Sequence, residues 1–144
     1  MEKLTITSAA FADGAAITAK YTCDGADVNP PLTIGTAPAG TRSLALIMDD
    51  PDAPAGIWVH WVVWNIPALT REISENSLPS GAKQGCNDRR HNSYSGPCPP
   101  SGTHRYFFRL YALDTTLILA STATKADLEH AMEGHVLAAG QLMG

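Results

Sequence analysis

The sequence predicts a mainly β domain: two packed antiparallel sheets with one or two peripheral helices. Three observations carry this. Prolines and glycines, 10 and 12 of them, fall in clusters and leave only short apolar runs between them. Three of those runs, Ser43 to Asp49, Trp58 to Ile66 and His104 to Leu113, are compact, flanked by turn residues and rich in apolar or aromatic side chains. One segment only, near residue 128, carries a clear helical signature.

The elements follow in chain order. Leu4 to Ser8 reads as a first strand, Asp13-Gly14 as a turn, and Ile17 to Thr22 as a second strand. Cys23 to Pro31 contains Asp24-Gly25 and Asn29-Pro30-Pro31 and reads as loop. Leu32 to Ile34 is a short strand, and Pro38-Ala39-Gly40 a turn before the three strong segments. The stretch 80–102 has almost no apolar periodicity, and a connection of about twenty residues without regular structure is usually disordered or functional. Its Gly96-Pro97-Cys98-Pro99-Pro100 core is stiff, which favours an ordered binding loop. Thr124 serves as a helix N-cap with Asp127 at the third helical position. Leu128, Ala131 and Met132 then form an apolar stripe, and Gly134 closes the helix. His135 to Met143 reads as a final strand.

The 144 residues make one domain, 1–144, with enough chain to bury a core. Ten Lys and Arg against 14 Asp and Glu give a net charge of −4, so no global field favours nucleic acid or an anionic membrane. No apolar run approaches a membrane span, and the N-terminus lacks the apolar stretch of a signal peptide. A cytoplasmic protein is the expectation. Cys23, Cys86 and Cys98 are an odd, sparse set without a C-x-x-C, so three reduced thiols are expected, with one pair able to bridge in an oxidising setting.

Five residues suggest chemistry. Asp50 and Asp52 end the first strong strand, and a spacing of two puts them on one face. Two such carboxylates repel, so one pKa rises unless donors compensate. His60 lies in an apolar strand, on a face with Trp58, Val62, Trp64 and Ile66. His104 and Tyr106 share a face at a strand mouth, with Arg105 on the other, and Gly102 just before them permits close backbone approach. Each alone has an ordinary explanation as a solvated turn, a core histidine or a strand end. Together they suggest a small polar cavity at one end of a sheet.

DPDAP at 50–54, HWVVWNIP at 60–67 and GPCPPSGTHRYFFRLYALD at 96–114 resemble the phosphatidylethanolamine-binding protein family, also called the Raf kinase inhibitor protein family. YTCDGADVNPPL at 21–32 and ATKADLEHAMEGHVLA at 123–138 resemble its small bacterial and archaeal branch. The resemblance implies a β-sandwich with peripheral helices and a pocket for phosphate-type anions, including phospholipid headgroups. It implies that Asp50, Asp52, His60, His104 and Tyr106 line that pocket and that Gly96 and Pro97 shape its rim. Pro54, in the DPDAP element, is where a cis peptide bond is expected. The stretch Asn87 to Tyr94 departs from the pattern, in which the branch carries an aromatic, glycines and a single basic residue; ordinary residues in place of glycines restrict the backbone. Arg89, Arg90 and His91 are candidates for an anion-attracting rim.

The expected function is therefore binding, not catalysis, with no metal or cofactor. A protonated His60 or His104 pairs with the anion, the aspartates orient the rings, and one of Trp58, Trp61 and Trp64 walls the pocket. Two alternatives stand beside it. One is a protein inhibitor of a serine protease or kinase; the other is a hydrolase or metal-dependent enzyme, for which Cys98 is the nearest nucleophile. The small branch is also consistent with a homodimer.

Overall fold

The computed structural model describes residues 2–98 and 103–144. Pro99, Pro100 and Gly102 of the expected binding loop lie outside the described residues. The strands are β1 (Glu2–Lys3), β2 (Ile6–Thr7), β3 (Leu32–Ile34), β4 (Ser43–Asp50), β5 (Trp58–Pro67), β6 (Glu72–Ile73), β7 (Lys83–Gln84), β8 (Phe107–Leu113) and β9 (Val136–Met143), with one helix, α1 (Lys125–Met132). Six strands form a large sheet in the order β1-β9-β8-β4-β5-β7, and β2-β3-β6 form a small one. Neighbours are antiparallel except β1 and β9, which run parallel.

β4 explains the architecture. It lies between β5 and β8, and all eight of its residues are buried. Leu44, Leu46 and Met48 point between the sheets and pack with Leu4, Ile6, Leu32 and Ile34. Ala45 and Ile47 point the other way and pack with Leu117 and with Leu128 and Met132 of α1. A strand covered on both faces reads as a continuous apolar run, which is why SLALIMD shows no alternation. The apolar stripe holds α1 against the sheet, and the capping box starts it. Thr124 Oγ1 accepts from the Asp127 N–H at 3.4 Å, and the Asp127 carboxylate accepts from the Thr124 N–H at 3.0 Å. Gly134 follows the helix at φ 79°, the left-handed position that glycine reaches without strain.

Several elements differ from the expectation. The first strand is split. The Leu4 N–H donates to Ala139 O at 2.9 Å, while Thr5 O accepts from the Gly35 N–H at 3.0 Å, so the chain passes from one sheet to the other. This crossing is tight enough that any side chain at Gly140 would strike the Leu4 carbonyl. Ile17 to Thr22 is no strand; Ala19–Tyr21 forms a 3-10 turn. Its backbone is satisfied locally, Tyr21 N–H to Thr18 O and Thr22 N–H to Ala19 O, both at 3.1 Å. β8 starts at Phe107, so His104 to Tyr106 precede it. The two-residue strands β6 and β7 carry too little pattern to be read from sequence.

The thiol expectation is also overturned, since Cys23 and Cys98 form a disulfide with Cα atoms 5.4 Å apart, leaving Cys86 free. The two residues are 75 apart in sequence, so only the fold brings them together. The bridge closes a seam already joined by three hydrogen bonds. Cys23 N–H donates to Pro97 O at 3.1 Å, Gly96 N–H to Asp27 Oδ1 at 2.7 Å, and the Tyr94 hydroxyl to Tyr21 O at 2.7 Å. Among the described residues no helix is long and apolar enough to cross a membrane.

Candidate ligand-binding site

A cavity of about 330 Å³ opens where β4 ends, β5 begins and the chain approaches β8. Its polar side consists of Asp50, His60, His104 and Tyr106. The segment after β4 supplies an apolar side, Ala53, Pro54 and Ala55, completed by the partly exposed Trp58. Arg89 and Cys98 stand on the remaining side.

A β-bulge places His60. Met48 pairs with Trp61 and Asp49 with Val59, so His60 is the extra residue and has no partner on β4. Bulges bend a strand and re-aim a side chain. A second shift lies between Leu44–Ile66 and Leu46–Val63, where Asn65 adopts φ 55° and bonds both backbone groups of Leu117 at 2.8 Å. The expected shared face of His60, Val62, Trp64 and Ile66 is broken by these shifts. Val62 and Trp64 pack on the helix side, and Ile66 packs between the sheets.

The protonation of His60 follows from its partner. Nδ1 lies 2.6 Å from Ser95 O, and a carbonyl only accepts, so Nδ1 carries the hydrogen. Nε2 then holds the lone pair of the neutral ring, and it has no partner among the described residues. Burial pushes the His60 pKa down, opposed by the Ser95 hydrogen bond and the Asp50 charge. The Tyr106 hydroxyl is the other buried polar side-chain atom without a partner among the described residues. Burial, then the Asp50 charge, pushes its pKa up to about 12, so it remains a donor. Leaving such atoms unpaired costs about 1–3 kcal/mol each, which a ligand would recover.

The remaining groups orient these two. His104 Nδ1 donates to Asp50 Oδ2 at 2.7 Å, with both side chains nearly buried. The Tyr106 ring stacks on His104 at 6.4 Å and meets His60 edge-on at 5.5 Å. Tyr106 and Gly144 exchange backbone hydrogen bonds of 3.1 and 2.9 Å, which hold the tyrosine although it precedes β8.

Of the residues expected at the site, Asp50, Pro54, His60, His104 and Tyr106 line the cavity; Asp52, Gly96 and Pro97 do not. Asp52 turns outward to Arg105, accepting from Nε and Nη2 at 2.9 Å and from the backbone N–H at 2.8 Å. Those bonds hold its carboxyl at about 2, so donors relieve the expected repulsion with Asp50. Gly96 is packed behind the cavity, where a side chain would strike the Tyr21 carbonyl. Pro97 is buried in the same seam. The bond before Pro54 is trans, as is every described peptide bond, so the cis expectation is corrected. Trp58 is the tryptophan at the wall, while Trp61 and Trp64 are core residues. Cys98 reaches the cavity, but its sulfur is committed to the disulfide and is no free nucleophile.

Sequence reasoning missed Asn87. It is buried, with Nδ2 3.0 Å from His60 O, 2.9 Å from Ser93 O and 3.0 Å from Ser95 Oγ. Its Oδ1 accepts from the Arg89 and His91 N–H groups at 3.0 Å. One amide thus folds the whole 87–95 loop and places Ser95 against His60. Ala53 and Ala55 were also missed, because a small apolar side chain gives no chemical signal. No cluster of three His, Cys, Asp or Glu able to hold a metal is found among the described residues.

The family model for phosphatidylethanolamine-binding protein matches residues 7–144. A UPF0098 protein of Methanothermobacter thermautotrophicus is 51% identical over 98% of this chain and 97% of its own length. A UPF0098 protein of Pyrococcus horikoshii is 47% identical over 99% of this chain and 77% of its own. Among solved structures, a putative phosphatidylethanolamine-binding protein homolog from Chlamydia trachomatis superposes with a TM-score of 0.94 at 39% identity, covering 100% of this chain and 97% of that one. E. coli YbcL, described as a new member of the mammalian family, superposes with a TM-score of 0.91 at 31% identity, covering 98% and 96%. With this sequence, this sandwich and these matches, the chain belongs to the phosphatidylethanolamine-binding protein family.

Proposed function

We propose that the protein is a binding protein whose cavity receives a phosphate-type anion, such as a phosphorylated headgroup, and that it carries out no bond-breaking step on it. One observation supports this above the rest. Two buried polar atoms, His60 Nε2 and the Tyr106 hydroxyl, belong to the same cavity and have no partner among the described residues. The tyrosine donates to an anion directly. The histidine does so once protonated, or it accepts the proton of a monoprotonated phosphate. Asp50 fixes His104 beside them, and the Ala53-to-Trp58 side offers apolar surface to the rest of the ligand.

The test is a ¹H–¹⁵N NMR titration with phosphorylethanolamine, and with inorganic phosphate and ethanolamine as comparisons. Saturable shifts are expected at 50–54, His60 and 103–106 for both phosphates and not for ethanolamine alone. Tyr106→Phe should weaken phosphate binding about tenfold, the worth of one hydrogen bond to a charged group. No shift at millimolar phosphate would sink this reading. Docking on a protease or kinase, the alternative that the family carries, would then take its place.

A further inference from the structure

Arg89 lies in the stretch that departs from the family pattern, and its backbone is fixed on both sides. Before it, Asp88 exchanges two hydrogen bonds with Val59 of β5, at 2.7 and 3.0 Å. Its own N–H is held by Asn87 Oδ1 at 3.0 Å. After it, Arg90 takes the left-handed conformation at φ 63° and turns the chain away. The Arg89 side chain lines the cavity, whereas Arg90 and His91 do not.

Two other arginines beside this end of the sheet are engaged, Arg105 by Asp52 and Arg109 by Asp49. The Arg89 guanidinium forms no ion pair and no hydrogen bond among the described residues. The charges around the cavity leave it a distinct place. Asp50 is hydrogen-bonded by His104, and His60 is buried beside them. Among the described residues, Arg89 is the one permanent cation on the cavity lining.

We propose that Arg89 is a specificity-determining residue: with His60 and Tyr106 it forms a three-donor cradle selecting the terminal phosphate of a phosphomonoester over a phosphodiester. This rests on the anion-binding reading above. A phosphomonoester presents three terminal oxygens and a diester only two. His60 Nε2 once the ring is protonated, the Tyr106 hydroxyl and the guanidinium fork supply one donor group for each of the three. A diester leaves the fork without an oxygen to bind and brings a second substituent into the polar side of the cavity. The single substituent of a monoester instead leaves along the apolar Ala53-to-Trp58 side.

The experiment compares phosphorylethanolamine with glycerophosphorylethanolamine, a soluble diester bearing the same amine, by titration calorimetry. The wild type should bind the monoester at least about tenfold more tightly. Arg89→Gln should remove about that factor for the monoester and little for the diester. Arg89→Lys, which keeps charge but loses the fork, should fall between them. Unchanged backbone NMR shifts away from the cavity would show that both variants are folded. Wild-type binding that Arg89→Gln leaves intact, or weakens equally for both compounds, overturns the role of Arg89 alone. Failure of the wild type to bind either compound overturns the pocket reading and this proposal with it.

Discussion

Asp49 and Asp50 are consecutive residues on β4, and they face opposite sides of the same sheet. Asp49, fully buried on the helix side, is bonded by Arg109 through contacts of 3.1–3.3 Å and by Lys125 Nζ at 3.1 Å. Arg109 also reaches Gln141 Oε1 at 3.2 Å and lies over the Phe107 ring. Asp50, on the sandwich side, accepts from His104 at 2.7 Å and from the Asp52 N–H at 2.8 Å, and it faces a cavity with two polar atoms that have no partner among the described residues. The first carboxylate is saturated and ties a helix and two strands together. The second is part of an unfinished network. Polar groups complete in themselves stabilise a fold, while groups left incomplete at a cavity are available to a ligand.

Three variants or conditions probe that contrast, and the first has the largest expected effect. The Cys23–Cys98 disulfide closes a loop of 75 residues, and removing such a closure costs about 4 kcal/mol in the chain-entropy account. The double variant Cys23→Ser/Cys98→Ser should lower the urea midpoint accordingly and also weaken phosphate binding, because Cys98 borders the cavity. A full loss of stability with unaltered binding would show that the seam does not support the site.

Asp49→Asn comes next. It leaves Arg109 and Lys125 facing a neutral amide, and breaking a buried pair costs roughly 3 kcal/mol, eased here by their partial exposure. Denaturant unfolding should record that loss while phosphate affinity stays within about twofold of wild type, as expected for independent sites. A large change in affinity would mean that the two faces of β4 are coupled.

The smallest effect is that of pH. Burial lowers the His60 pKa, so the empty cavity holds a neutral ring at pH 7. An anion beside Nε2 favours the charged ring and raises that pKa on binding. Between the two values binding takes up a proton, so affinity should rise as pH falls, by no more than about tenfold per pH unit, and level off below the lower value. Calorimetry in buffers of different ionisation enthalpy measures the uptake directly; an uptake of zero across that window would remove His60 from the anion's contacts. The empty protein should show the opposite trend. The unfolded chain binds the His60 proton more readily than the folded one, so this group lowers stability as pH falls through about 6.5. Asp52 acts at more acid pH. Arg105 depresses its carboxyl to about 2, so its contribution is present above the ordinary carboxylate value and lost towards pH 2.

Much of the fold was legible because local patterns carry it. Proline and glycine clusters bound β4, β5 and β9, and the Thr124–Asp127 box marks the start of α1. Elements that depend on distant partners were not legible. Residues 17–22 have the composition of a strand, but local hydrogen bonds and the contact with 94–98 coil them instead. At the site, ionisable residues near strand ends were visible from sequence, while their partners were not. Asp52 has the same spacing argument as Asp50, yet Arg105 draws it outward. Asn87, an amide in a polar loop, looks unremarkable until its five contacts with the 87–95 loop and His60 are assembled.

By itself the sequence determined the mainly β class, the apolar strand β4, the capped helix and the motifs that bring Asp50, His60, His104 and Tyr106 into consideration. These follow from hydrophobic period, turn chemistry and residue type, all of which act over a few neighbouring positions. The tertiary structure decided which polar atoms remain unpartnered, which aspartate faces the cavity, which thiols pair and where Arg89 stands. Each of those depends on segments tens of residues apart meeting within hydrogen-bond or bonding distance, and no local pattern encodes that distance.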